Sequence, residues 1–266
     1  MRLFLAATAA SLCALAGQAG AQTFAATAVR VENAAAVVTV IPEDRADIHV
    51  AIAPGARLAT PTARVSGEGV VIDGGLGGNR IRGCMSTTRT VVRIAGIGNV
   101  AREDLPRITI RTPRRLDLSI GGAVHTTVGA SAGGSAAFNG CGDATMAAAS
   151  GPLDVDLNGS GDIEVARVGG VLAATLNGSG SLNVARADGD AALRLNGSGD
   201  LEVGDVRGRL DARLTGSGSL EVGSAGGDTR LALNGSGDVE AGAVAGSLDA
   251  ELRGSGSVSV ASVVGP

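Results

Sequence analysis

A turn built from glycine and serine returns every nineteen residues through the second half of the chain. It reads NGSGD at residues 158–162, and its seven copies begin at positions 139, 158, 177, 196, 215, 234 and 253. An unbroken period near twenty residues is typical of a solenoid, in which each repeat is one structural unit that stacks on its neighbours. The period therefore restricts the fold more than any other feature of the sequence.

Apolar residues occupy fixed positions around each turn. A large apolar residue precedes the turn, as at Leu195, and two more follow it in alternation, as at Leu201 and Val203. This period of two indicates strands with one buried face, and a second glycine, such as Gly208, marks a second corner. We predict an all-β fold, a right-handed parallel β-helix (β-solenoid) with 19-residue repeats, preceded by irregular β coils or a cap. Successive antiparallel hairpins and a 38-residue coil with two similar halves are the competing geometries.

Two further patterns favour coils that stack in register. An asparagine opens five of the seven turns, and stacking would align these amides in a ladder: Asn139, Asn158, Asn177, Asn196 and Asn234. The inward positions also alternate in size, since Leu172 and Ala174 of one coil are followed by Ala191 and Leu193 of the next. Large residues would then lie against small ones, as they do in interdigitated core layers.

Residues 1–21 have the pattern of a secretory signal peptide. Arg2 precedes an apolar segment, and residues 19–21 form an A-x-A cleavage site. We expect the mature chain to begin at Gln22, outside the cytoplasm, and no later stretch is apolar enough over its length to span a membrane. Residues 22–266 carry 21 arginines, no lysine and 26 acidic residues. The resulting formal charge of −5 provides no basic footprint for nucleic acid.

Residues 22–118 are predicted to form an irregular β region, either degenerate coils or a cap, ahead of the regular repeats in residues 119–266. Short alternating segments in this region are separated by turn signals. Two cysteines remain after the signal peptide, Cys84 in this region and Cys141 in the first turn. In an oxidising compartment we expect a disulfide between them, which would contribute about 4 kcal/mol by closing a long loop. A reactive thiol pair is the alternative.

Charged residues also recur at fixed positions. Glu202, Glu221 and Glu240 would stack in neighbouring coils. A second acidic column lies in the turns at Asp143, Asp162, Asp200 and Asp238, of which the last three are in alternate turns. Like charges about 5 Å apart repel, so we favour a solvated glutamate ladder and keep cation binding as the alternative. We predict that this ladder forms part of an interaction surface, with Arg194 and Arg213 on another strand.

No group of residues has the composition of a catalytic site. A polysaccharide-active β-helix needs converging carboxylates and usually aromatic residues, whereas only Phe24 and Phe138 are aromatic after the signal peptide. His49 and His125 lie in dissimilar contexts, and we interpret each as a surface or turn residue. The serines of the repeat therefore have no base, and the glycine turns have no helix or lysine to hold a phosphate. We predict no catalytic residue, no cofactor and no metal site, and keep a polysaccharide- or cell-wall-active enzyme as the alternative.

The repeated LNGSGD sequence, with its variant LTGSGS, resembles the repeat of the GIN-domain family, which is described as auto-transporter adhesin head domains of bacterial envelope proteins. The segment from Arg107 to Val124 and the NGCGD turn are similar to the start of such domains. The resemblance covers about residues 28–266. It implies an exported β-helical protein whose biochemical activity is mostly unknown, because the word adhesin rests on an analogy with other repeat-containing heads.

The last coil carries Val258, Val260 and Val263 without a polar terminal cap, although solenoids need capping for solubility. We expect fraying, a covering partner, or end-to-end pairing with a second copy, which would make the chain a polymer-forming structural protein. The leading hypothesis is an exported, non-catalytic scaffold or adhesion and interaction module of the bacterial cell envelope. We expect it in the periplasm or at the cell surface, with an envelope protein or a surface glycan as its partner.

Overall fold

A computed structural model describes residues 20–77, 79–85 and 91–265. The predicted signal peptide lies almost wholly in residues 1–19, outside the described residues. A single 3₁₀ turn, Arg102–Asp104, occurs among strands in this part of the chain. The strands up to residue 128 are β1 (Gln22–Phe24), β2 (Ala28–Glu43), β3 (Ile48–Ala53), β4 (Thr62–Ser66), β5 (Gly69–Asp73), β6 (Ile81–Met85), β7 (Val91–Ile94), β8 (Gly98–Ala101), β9 (Arg107–Pro113) and β10 (Arg115–Val128).

Shorter strands follow at regular intervals through the repeats. They are β11 (Gly133–Gly140), β12 (Ala144–Met146), β13 (Leu153–Gly159), β14 (Asp162–Val165), β15 (Leu172–Gly178), β16 (Ser181–Ala187), β17 (Ala191–Gly197), β18 (Asp200–Val206), β19 (Leu210–Gly216), β20 (Ser219–Ala225), β21 (Thr229–Gly235), β22 (Asp238–Val244), β23 (Leu248–Gly254) and β24 (Ser257–Val263).

The strands after β10 alternate between two parallel sheets. Strands β11 to β23 with odd numbers form the first sheet, and strands β12 to β24 with even numbers form the second. Partners are nineteen residues apart, as for Leu195 with Leu214 and Val203 with Val222. Each coil thus has nineteen residues and adds one strand to each sheet. The predicted parallel β-solenoid is confirmed, whereas the hairpin arrangement and the 38-residue coil are both wrong.

The two sheets enclose one continuous apolar core, which the inward residues of every regular coil enter. In register, Leu172 lies beside Ala191, which lies beside Leu210. All three are at most 4% exposed, so the predicted alternation of large and small core residues is confirmed. Packed sheets lie about 10 Å apart, and a core this thin is filled by aliphatic side chains without tryptophan or tyrosine.

Glycine is required at the corner that joins the two sheets. Gly197 has φ +138, and a Cβ atom built there would lie 2.1 Å from the carbonyl oxygen of Gly178 in the preceding coil. That oxygen accepts hydrogen bonds from the backbone N–H groups of Ser198, at 3.0 Å, and Gly199, at 3.2 Å. The backbone of one coil therefore rests directly on the backbone of the previous one, at a φ that favours glycine.

The asparagines at this corner form a ladder over four coils. The amide nitrogen of Asn158 donates to Asn139 at 3.1 Å, Asn177 donates to Asn158 at 2.8 Å, and Asn196 donates to Asn177 at 2.9 Å. The predicted ladder is confirmed over this part. Asn234 does not join it, because its register neighbours are Thr215 and Arg253.

The solenoid also includes strands that precede the regular repeats. Strand β10 pairs with β11 at a spacing of eighteen, with Ile120 beside Phe138, and runs on to pair with β12. Its other edge pairs in parallel with β2, with a register shift between Ile120 and Gly122. Residues 116–120 are therefore part of an early coil, and β10 crosses the position where the sequence suggested a division between residues 118 and 119.

Antiparallel strands cover the amino-terminal end of both sheets. Strand β2 pairs in parallel with β5 through its first part and with β9 through its second. Strand β4 then pairs antiparallel with β5, while β3 pairs antiparallel with β9 and β1 with β3. Strands β6, β7 and β8 form a separate antiparallel sheet, called here the small sheet. The irregular region thus supplies both early coils and a covering layer.

Candidate interaction surface

The small sheet is fixed to the outside of the solenoid by an apolar cluster and a disulfide. Val92 and Val100 of the small sheet belong to a buried cluster with Ala35 of β2 and Ala123 of β10. Cys84 of β6 is bonded to Cys141, which follows β11, across a sequence separation of 57 residues. The predicted disulfide is confirmed. It connects the irregular region to the first glycine turn of the repeats.

The outward side of the second sheet is strongly acidic. Strands β14 to β24 of this sheet contain eight acidic residues and one arginine, Arg186. We call the following exposed residues the acidic face: Asp162, Glu164, Asp200, Glu202, Glu221, Asp238 and Glu240. Glu202 is the register neighbour of Glu221, and Glu221 of Glu240, so the three predicted ladder residues do lie in adjacent coils.

Neutral side chains hold several of these carboxylates in place. The amide of Asn183 donates to a Glu202 carboxylate oxygen at 2.9 Å, and the hydroxyl of Ser257 donates to Asp238 at 2.6 Å. These donors come from the neighbouring coil, so they order the carboxylates without neutralising them. Within residues 20–77, 79–85 and 91–265, no group of three or more histidine, cysteine, aspartate or glutamate residues is arranged to hold a metal ion.

Arginines gather at the far edge of the second sheet around one aspartate. Asp188, whose side chain is 11% exposed, accepts from Arg167 at 2.6 Å and from Arg186 at 2.9 Å, and Arg207 lies 3.5 Å away. The hydrogen bond from Arg167, followed by the one from Arg186, lowers the pKa of Asp188 below its usual range. This edge therefore carries excess positive charge beside the acidic face. The nineteen-residue period could have predicted this cluster, because Arg167 and Arg186 are nineteen residues apart, as are Asp188 and Arg207.

The two arginines predicted on another strand are register neighbours in the first sheet. Arg194 of β17 lies beside Arg213 of β19, and both are exposed. Arg213 donates two hydrogen bonds to Asp211, each of 3.1 Å. They face away from the second sheet, so the structure does not bring them together with the glutamate ladder.

The interpretation of His125 as a surface or turn residue is wrong. His125 lies within β10 and is 5% exposed, and its Nδ1 atom is 3.3 Å from a carboxylate oxygen of Asp143. Burial lowers the pKa of His125 below its usual range; the charge of Asp143 opposes this shift, and that of Arg102 adds to it. His49 lies in β3 and is partly buried. His125 is the register neighbour of Val37 in β2, a contact across almost ninety residues that local pattern does not reveal.

Comparison with known protein families gives one match. Residues 99–226 match the family model described as "Putative auto-transporter adhesin, head GIN domain". The resemblance to the GIN-domain family is confirmed. The matched segment begins in β8 and ends just after β20, so it includes β10, Cys141 and most of the regular coils, whereas Cys84 lies before it.

Solved structures with the same fold span nearly the whole chain. A protein from Parabacteroides distasonis described as "putative lipid binding protein" has a TM-score of 0.65 at 16% identity, covering 91% of this chain and 96% of its own. A "putative adhesin" from Parabacteroides merdae has a TM-score of 0.57 at 12% identity, covering 91% and 95%. A second "putative adhesin" from P. distasonis has a TM-score of 0.56 at 14% identity, covering 92% and 98%. At these identities the likeness extends to the fold alone.

No curated protein matches this chain. Among the described residues, no helix has the length and apolar character needed to cross a membrane. The family description and the structural neighbours are consistent with an adhesion or interaction module, and none of their descriptions names a catalytic activity.

Burial of His125 should make the stability of the protein depend on pH. Because the pKa of His125 is lowered by folding, the unfolded chain takes up a proton near pH 6.5 before the folded chain does. The free energy of unfolding should therefore fall as the pH drops from about 6.5 to the lower pKa of His125 in the folded protein. Above about pH 6.5, His125 should not affect the free energy of unfolding. Urea unfolding measured between neutral and mildly acidic pH should show this slope, and His125→Gln should remove it.

His49→Gln provides the matched control, since it removes the other histidine after the predicted signal peptide. It should leave the slope between about pH 6.5 and 5 in place. An unchanged slope in His125→Gln would show that another group is responsible.

Proposed function

We propose that the protein is an exported, non-catalytic adhesion or interaction module of the bacterial cell envelope, and that the acidic face is one of its contact surfaces. The observation that carries this proposal is the register of the second sheet. It places Glu202, Glu221 and Glu240 in consecutive coils with no arginine among them. Parallel strands are about 4.8 Å apart, so the carboxylates form a row whose spacing is set by the backbone.

A row of carboxylates suits a partner with basic groups. Glu202 is held by Asn183, so this side chain loses little conformational freedom on binding. Opposite charge across an interface raises the association rate and selects the partner. An envelope protein with a basic surface is therefore the partner class that fits this face. Export is supported by the sequence of residues 1–21, and the family description supports adhesion.

The acidic face is tested by removing three charges without changing side-chain size. Glu202→Gln/Glu221→Gln/Glu240→Gln should reduce retention of the purified protein on isolated cell envelopes about tenfold, which is about 1.4 kcal/mol. Retention of the unaltered protein should weaken as salt is added, because the contact is charged and exposed. The measurement is cosedimentation of labelled protein with envelopes.

The control makes the same change of charge on the first sheet: Asp154→Asn/Asp156→Asn/Glu251→Gln. It should bind like the unaltered protein. Equal retention of all three forms would exclude the acidic face as a contact surface, and recovery of the chain in the cytoplasm of fractionated cells would exclude an exported module.

Self-association is a second candidate, because the last coil exposes apolar side chains. Leu252, Val263 and Val264 are 48%, 44% and 79% exposed. The other end of the solenoid is covered by antiparallel strands. The last coil of one copy would therefore pair with the last coil of a second copy, and not with its amino-terminal end. Two solenoids joined in this way would form a closed dimer, in contrast to the end-to-end polymer that the sequence suggested.

Sedimentation velocity over a wide range of concentration tests this candidate. A dimer should form in the unaltered protein and be lost in Leu252→Asp/Val263→Asp, because a charge would be buried in the contact without a partner. A protein that is monomeric at every concentration, or one that forms larger species without limit, would contradict the closed dimer.

A further inference from the structure

A groove of about 410 Å³ crosses the first sheet beside the corner that precedes β17, β19 and β21. It lies on the side of the solenoid opposite the acidic face. One wall contains Asp190, Arg209 and Asp228, which occupy the same position in three consecutive coils. The groove therefore runs along the solenoid axis and meets the same position of each coil in turn.

The carboxylates of this wall are anchored to the following coil. An oxygen of Asp190 accepts from the backbone N–H of Arg209 at 2.8 Å. An oxygen of Asp228 accepts from the backbone N–H of Ser247 at 3.1 Å and from its hydroxyl at 2.9 Å. These bonds lower the pKa of Asp228, so it is ionised at neutral pH. Each aspartate uses one oxygen in this way and keeps the other available.

The opposite wall repeats the alternation of acid and base. Asp211, Arg230 and Asp249 follow one another in register, and Arg213 holds Asp211 through its two hydrogen bonds. The guanidinium of Arg230 lies 3.8 Å from Asp249, which is too far for a hydrogen bond. Its donors are therefore free to bind a ligand in the groove.

Arg209 also has hydrogen-bond donors that a ligand in the groove could use. Its exposed guanidinium donates no hydrogen bond to another described residue, although it lies between Asp190 and Asp228 in register. Its position is set by the backbone N–H that Asp190 holds. A ligand hydroxyl in the groove could accept from Arg209 and donate to the free oxygen of Asp190 or Asp228.

The direction of the groove excludes strand addition as the binding mode. Peptides that extend a sheet bind along an edge strand through backbone hydrogen bonds. This groove crosses paired strands, whose N–H and C=O groups are used in the parallel ladders. Recognition must therefore come from side chains, which here alternate between donors and acceptors along both walls.

The charge of the groove restricts the ligand further. Four carboxylates and two guanidinium groups line it, so a polyanion such as a sulfated glycan is repelled. A neutral ligand with many hydroxyl groups suits the alternation, because each hydroxyl both donates and accepts. Val171, which is 50% exposed, and Ala192 supply apolar contact for the C–H groups of a sugar ring.

We propose that this groove binds a linear neutral oligosaccharide whose sugar rings lie along the solenoid axis. Successive coils are about 4.8 Å apart, comparable to the length of one ring in an extended glycan, so every second ring would meet equivalent side chains. The five positions from Val171 to Ser247 span about 19 Å, enough for several rings. This inference rests on the proposed interaction function but uses a different surface from the acidic face.

Isothermal titration of the purified protein with neutral hexasaccharides tests the groove. The probes are the linear hexamers of glucose, mannose, xylose and N-acetylglucosamine, and at least one should bind. Arg209→Gln/Arg230→Gln should weaken that binding about tenfold or more, because it removes two charged donors. Ala192→Trp should abolish it by filling the groove.

Matched controls on the same sheet are Arg194→Gln and Ala232→Trp, which lie outside the groove lining. Both should bind as the unaltered protein does. Binding to none of the hexamers, or equal weakening by the controls, would overturn the proposal. Retention on cell envelopes through the acidic face is measured in a separate experiment. A groove that binds no hexamer would therefore exclude this proposal without affecting the test of the proposed function.

Discussion

The structure depends on the contact between the backbones of successive coils at the glycine corner. A Cβ atom on Gly197 would meet the carbonyl oxygen of Gly178 at 2.1 Å, and Gly216 stands in the same relation to Gly197. This close approach fixes where each coil turns from the first sheet to the second. The chain between two such corners must then have nineteen residues. The strands, the buried residues and the exposed residues of each coil therefore all repeat with this one period. Solenoids built in this way gain stability from neighbouring coils rather than from any single coil.

The same contact makes the outer surface regular. A residue that faces outward in one coil faces outward in the next, so one amino-acid type repeated in the sequence becomes a row on the surface. The acidic face and the groove are two results of this rule on opposite sides of a thin core. One row carries a single sign of charge, whereas the other alternates acid and base. One narrow solenoid therefore offers two different binding surfaces, and neither needs a set of catalytic residues.

The repeat half could be predicted from the sequence because its structure is local to each period. Leu172 and Ala191 reveal their contact by their spacing, and Cys84 could pair with only one other cysteine after the predicted signal peptide. The amino-terminal half could not be predicted in the same way. There β2 meets β10 across almost ninety residues, and the small sheet packs on Ala35 and Ala123 without any repeated spacing. Such contacts leave no periodic trace, which is also why the burial of His125 was missed. The arginines around Asp188 do follow the nineteen-residue period, so that cluster could have been predicted from the sequence.

Removal of whole coils tests in-register stacking most directly. Deleting residues 191–228 takes out two coils of nineteen residues and brings Thr229 and Leu231 beside Leu172 and Ala174, so the alternation of core size is kept. Deleting residues 191–218 instead takes out one and a half coils and places β20 where a strand of the first sheet belongs. Circular dichroism with urea unfolding should show a cooperative β protein for the first deletion, with a lower free energy of unfolding, and no cooperative transition for the second. Two deletions that fold equally well, or a first deletion that fails to fold, would contradict a solenoid built from independent nineteen-residue coils.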